Sequence, residues 1–172
     1  MKFFLFGLLI GVFLLPVCGW LYFRFGYAPV ATASSPMPFE KQLARMALNA
    51  RIRDEAPKNA PIQPSDENLI AGARIYRSHC AMCHGLPSQA DYATAKGMFP
   101  KPPQLFKGHG VTDDPVGETY WKVANGIRLT GMPAYTGSLQ DNEMWQVSLM
   151  LAGADKLSQA VHSTLEQPLE IR

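Results

Sequence analysis

The chain is sparing with the residues that most often carry chemistry. Its 172 residues hold three cysteines, four histidines and three tryptophans. No cysteine follows Cys83, so a four-ligand zinc site lacks its second pair. Charge is scarce as well, at 17 % of residues, with 16 Lys and Arg against 14 Asp and Glu. Lys2 and Arg24 account for the surplus, and the remaining 14 basic and 14 acidic residues balance. A neutral body argues against nucleic acid as a partner. No internal repeat and no run of alternating β-branched residues is present, which argues against a sheet and for an all-α fold.

Residues 3–23, FFLFGLLIGVFLLPVCGWLYF, are apolar and carry no charge. About 20 such residues span a bilayer as a helix, and a proline such as Pro16 is tolerated there. Trp20 and Tyr22 stand where interface aromatics are found. Residues 1–25 are therefore expected to be a transmembrane anchor. A removed signal peptide is the alternative, with Ala31-Thr32-Ala33 as its cleavage site, although its apolar core is ordinarily about 7–15 residues. Lys2 favours a cytoplasmic N-terminus. The expected location is thus the bacterial inner membrane, single-pass, with everything after the anchor on the periplasmic side. Cys18 reads as a small hydrophobe within the span, with lipidation as the lesser alternative.

Residues 26–64 read as a linker. Its first part is rich in Pro, Ala and Ser, and PKNAPIQP at 57–64 suits an extended arm. Between them Phe39, Leu43, Met46, Ala47 and Ala50 recur at helical spacing, predicting a helix from Phe39 to about Ala56. Its narrow apolar stripe is expected to pack on the domain, with lipid contact by its basic residues as the alternative. The domain proper spans 65–153. Ser65 or Asp66 caps its first helix, and a short helix is expected around 90–97. Asp114-Pro115 begins another, with Asp as cap, ending near Gly126. A last helix runs from Ser138 or Asp141 to about Ala152. Residues 154–172 read as a polar tail of uncertain order.

Cys80-Ala81-Met82-Cys83-His84 is the chain's most informative stretch. Two cysteines three apart, followed by histidine, form the attachment pattern of a c-type haem. One short segment must supply both sulfurs, because the two vinyl groups lie on one side of the macrocycle. His84 then takes the proximal position on iron. A thioredoxin-like dithiol would sit beside a βαβ pattern, which the sequence lacks. The expected cofactor is one covalent haem c.

The sixth iron position separates electron transfer from ligand chemistry. Met132 lies in the irregular stretch NGIRLTGMPAY between two helices, bracketed by Gly131 and Pro133. It is the expected ligand, which makes His84 and Met132 the metal ligands. Met98 in KGMFP stands second, less suited because it follows the attachment site so soon. Met144 and Met150 read as helix core, His79 as constrained and turned away, His109 as a solvated loop residue and His162 as part of the tail. Met/His ligation raises the reduction potential and leaves no vacant site for oxygen or peroxide.

On these residues the chain resembles the class I, mono-haem cytochromes c over about residues 66–153. The resemblance implies a domain of about 3–5 helices around one covalent haem. It implies that Gly72 and Tyr76 lie where the first helix crosses the last, with Trp145 as aromatic partner. It implies that Pro103 accepts a hydrogen bond from His84 through its carbonyl and that Leu105 packs on the ring. Tyr120, Trp121 and Arg128 are candidates for the haem propionates. The expected function is that of a membrane-anchored carrier, not an enzyme, moving single electrons between respiratory or dehydrogenase partners. The alternatives are a fixed electron-transfer subunit of a larger oxidoreductase complex, or a haem enzyme or gas sensor with an open sixth site.

Overall fold

The computed structural model describes residues 2–89, 92–107 and 111–167, and among them every regular element is helical. In order these are α1 (Lys2–Arg24), α2 (Glu40–Glu55), α3 (Asp66–His79), α4 (Ala81–His84), α5 (Ala93–Lys96), α6 (Val116–Asn125), α7 (Asp141–Ala152) and α8 (Gln159–Glu166). The chain divides into two compact units, Met1–Leu43 and Ala44–Arg172.

The first unit is dominated by α1. Its 22-residue segment Phe3–Arg24 is long and apolar enough to cross a membrane, and none of it is buried within the protein. A helix that is apolar all round is stable only in apolar surroundings. Cys18 lies exposed on it with its neighbours. After α1 the chain turns at Gly26, whose φ of 74° suits glycine. The Tyr27 ring then stacks back on Tyr22 at 6.3 Å.

The second unit holds the core. Ser65 caps α3 by accepting the Asn68 backbone N–H on its hydroxyl oxygen at 3.3 Å. Helix α7 crosses α3 at Gly72, where an added Cβ would stand 2.2 Å from the Gln146 carbonyl oxygen. Only glycine allows the two backbones this approach. Around the crossing Ala73, Tyr76, Val147, Met150 and Ser148 are fully buried. The Tyr76 hydroxyl donates to the Gly85 carbonyl at 2.7 Å, and its ring meets Phe106 edge-on at 5.1 Å. Trp145 stacks on Tyr120 with centroids 4.0 Å apart.

Three expectations are corrected. Asp114 does not cap α6; the cap position is Pro115, and the Asp114 carboxylate instead pairs with Lys122 at 3.2 Å. The tail is not simply polar: α8 packs on α3 and buries Val161 and Leu165, spaced four apart on one face. Within this unit the stripe of α2 is not the face that is buried: Met46 and Ala47 are exposed, Ala50 is half-buried and Ile52 is the helix's buried residue. The helix meets the domain with its last turns. There Glu55 accepts the Trp121 indole N–H at 3.0 Å, and the Pro57 carbonyl occupies the space a side chain at Gly117 would need. The end of α2 and the proline arm thus belong to the unit that carries the site.

Candidate functional site

The end of α3, the single turn α4, the segment 98–103 and the loop 127–135 line a shared cleft. Cys80, Cys83, His84, Met98, Pro103 and Met132 all line it. Helix α3 delivers Cys80 as its C-terminal cap, and α4 then turns Cys83 and His84 in the same direction. Gly85, at φ 76°, ends that turn.

The His84 Nδ1 lies 2.9 Å from the Pro103 carbonyl oxygen. A carbonyl can only accept, so Nδ1 carries the proton and Nε2 keeps its lone pair. Burial lowers the His84 pKa from its ordinary value, against a smaller opposing effect of the bond to Pro103. The side chain is therefore a neutral imidazole with one nitrogen fixed and the other free, the form that ligates metal.

The cysteines lack the signature of an activated thiol-exchange pair. Burial first, and the neighbouring Cys83 second, push the Cys80 thiol up to about 12. Reactive dithiols have lowered values instead. Among the described residues no cluster of three or more His, Cys, Asp or Glu side chains could hold a metal ion. The His84 imidazole, two neighbouring thiols and the thioethers of Met98 and Met132, in a largely apolar cleft, are a donor set that suits haem.

The methionine loop is tied back onto α6. The Tyr135 N–H donates to the Val123 carbonyl at 3.0 Å, and the Thr136 hydroxyl to the Ala124 carbonyl at 2.9 Å. Inside the loop the Met132 N–H donates to the Thr130 hydroxyl at 3.1 Å, and the Ile127 N–H to the Met132 carbonyl at 3.2 Å. Gly126, at φ 65°, ends α6, and a Cβ there would stand 2.6 Å from the Ala134 nitrogen. The loop therefore rests directly on that glycine.

Of the residues singled out in the sequence, Cys80, Cys83, His84, Pro103 and Met132 are brought together. Leu105 packs against the core cluster beside the cleft and does not line it. Tyr120, Trp121 and Arg128 do not line it either. The Tyr120 ring is taken by Trp145 and its hydroxyl donates to Asp141, Trp121 is held by Glu55, and Arg128 is exposed. His79 lines the cleft, contrary to expectation, with its ring edge-on to Tyr135 and its carbonyl accepting the Tyr135 hydroxyl at 2.8 Å. His109 lies outside the described residues. Tyr135 itself was not singled out, although the sequence carried it in the methionine stretch.

Residues 67–149 match the family described as cytochrome c oxidase, cbb3-type, subunit III. The match covers a little under half of the chain and makes this segment similar to a cytochrome c domain. A protein of this family transfers electrons through haem, which is what the cleft's donor set suits. No curated protein matches the chain. A chain of the reducing HAO-like protein complex of Kuenenia stuttgartiensis is similar at 21 % identity and a TM-score of 0.49. That match covers 71 % of this chain and 52 % of the other, so this chain spans about half the length of that structure.

Proposed function

We propose that the protein is a membrane-anchored c-type cytochrome that moves single electrons between redox protein partners. Its haem is held covalently by Cys80 and Cys83 and ligated by His84 and Met132. The observation that carries this reading is the hydrogen bond from His84 to Pro103, because it fixes the one imidazole tautomer whose other nitrogen can ligate. Bound haem supplies an iron that changes between Fe(II) and Fe(III). The chain's part is to hold the imidazole neutral and oriented, to present a thioether from a loop tied to α6, and to exclude water with apolar walls. Helix α1 serves as the anchor in the bacterial inner membrane, with the domain on the periplasmic side. Such a tether raises the effective concentration at membrane partners.

The family's description names an oxidase subunit, which favours one second reading: a fixed subunit passing electrons inside a larger complex. Co-purification with stoichiometric partners after mild detergent extraction supports that second reading.

The test is the optical spectrum of the full chain, ferric and ferrous, with and without carbon monoxide. A low-spin spectrum with the methionine–ferric charge-transfer band and no carbon monoxide response is expected. A high-spin spectrum or rapid carbon monoxide binding would contradict an electron carrier and indicate catalysis or sensing.

A further inference from the structure

The cleft holds two thioethers. Met98 lines it together with Met132, although the two are far apart in sequence. Their neighbourhood is direct. A Cβ on Gly131 would lie 1.7 Å from the Met98 terminal methyl and 3.4 Å from its sulfur. The Met98 side chain thus occupies the space against the backbone of the residue preceding Met132.

The position along the rim matters as much. Pro103 sits at His84, 2.9 Å from its Nδ1. Met98 sits at Gly131, and Pro100, Lys101 and Pro102 between them also line the cleft. The segment 98–103 therefore runs from the methionine loop to the histidine. This puts the Met98 sulfur at the Met132 end, away from the proximal side. Met98 is half-buried, follows the short α5, and is held there by one long backbone bond, N–H to the Ala95 carbonyl at 3.4 Å. A methionine side chain has three rotatable bonds and a soft sulfur. It can turn toward a metal when the resident ligand leaves.

We propose that Met98 is a reserve sixth ligand, able to take the iron position when Met132 is absent. The proposal rests on the Met/His reading above. It makes the sixth site hard to open by any single methionine substitution. Neither His79 nor Lys101, which also line the cleft, gives the same signature, because neither provides a thioether.

The experiment compares four full-length proteins with intact haem: wild type, Met98→Leu, Met132→Ala and the double variant. Leucine keeps the volume of Met98 without its sulfur, and alanine at 132 leaves room for Met98 to enter. A haem stain that survives denaturation shows that each variant carries its cofactor. Wild type and Met98→Leu are expected to show the methionine–ferric charge-transfer band. Met132→Ala is expected to keep that band, with a shifted potential and slow carbon monoxide binding. The double variant is expected to lose the band and bind carbon monoxide rapidly. A Met132→Ala protein that has lost the band overturns the proposal, whether it is then high-spin or low-spin through nitrogen. Loss of the band in Met98→Leu alone also overturns it, by making Met98 the resident ligand. Absence of the band in wild type refutes the Met/His reading itself and is distinguishable from both.

Discussion

Gly72 of α3 and Gln146 of α7 approach so closely that a side chain on the first would meet the backbone of the second. The Cβ of an alanine at 72 would stand 2.2 Å from the Gln146 carbonyl oxygen and 3.0 Å from the Met150 Cβ. Backbone cannot yield as a side-chain end can. Gly72→Ala is therefore expected to destabilise the domain by about 1–3 kcal/mol, the usual cost of overpacking a core. Gly137→Ala is the control, since nothing lies within 4 Å of its Cβ position. Urea denaturation of both variants checks this; equal midpoints would show that the crossing is looser than described.

The second prediction concerns α8. Leu165 and Val161 are fully buried on α3. Leu165→Ala is expected to cost about 2–5 kcal/mol, as large-to-small core changes do. A change within about 0.5 kcal/mol, the range of surface substitutions, would mean that the C-terminal helix is not part of the folded unit.

The third concerns the loop that carries Met132. Gly126 has φ 65° and touches the backbone of Pro133 and Ala134. Gly126→Ala adds a left-handed strain of about 1–2 kcal/mol and pushes the loop outward. In a Met98→Leu background the expected outcome is partial high-spin character and faster carbon monoxide binding. An unaltered spectrum would separate the loop's position from Gly126.

The fourth is the behaviour in alkali. Burial raises the Tyr76 phenol, and burial followed by the bond to Asp141 pushes Tyr120 up to about 12. Burial also pushes Tyr135 up to about 12. An unfolded tyrosine ionises near about 10. Between those values the unfolded chain has released protons that the folded chain retains, so stability falls as pH rises. Full stability is present below about 10 and is lost progressively toward about 12. Denaturation midpoints across that window check the sign. Tyr135→Phe is expected to flatten the decline, and a midpoint that does not fall would contradict the assignment.

Much of this was legible in the sequence, for reasons that differ by residue. The attachment pattern is local chemistry, and Cys80, Cys83 and His84 needed only their spacing. Helices α3 and α7 announced themselves through apolar periodicity, and α7 also through Gly153 just past its end. Met132 was legible from its place in an irregular stretch between Gly131 and Pro133, whereas Pro103 was found through the resemblance, because a carbonyl has no sequence signal of its own. What escaped depends on contacts between distant segments. The indole of Trp121 goes to Glu55 across 66 residues, and Tyr120 is drawn to Trp145 rather than to the cleft. Helix α8 escaped because two buried residues four apart are a weak signal among polar neighbours. Asp114 looked like a cap, but Lys122 offered its carboxylate a charge.

The central claim is a haem bonded to this chain through Cys80 and Cys83. The most direct measurement is the intact mass of the denatured protein, expressed with a haem-attachment system, beside a Cys80→Ala, Cys83→Ala variant. The account predicts that the wild type keeps the mass of one haem in denaturant and that the variant has none. A wild type without covalent haem, or a variant that retains it, would contradict the account.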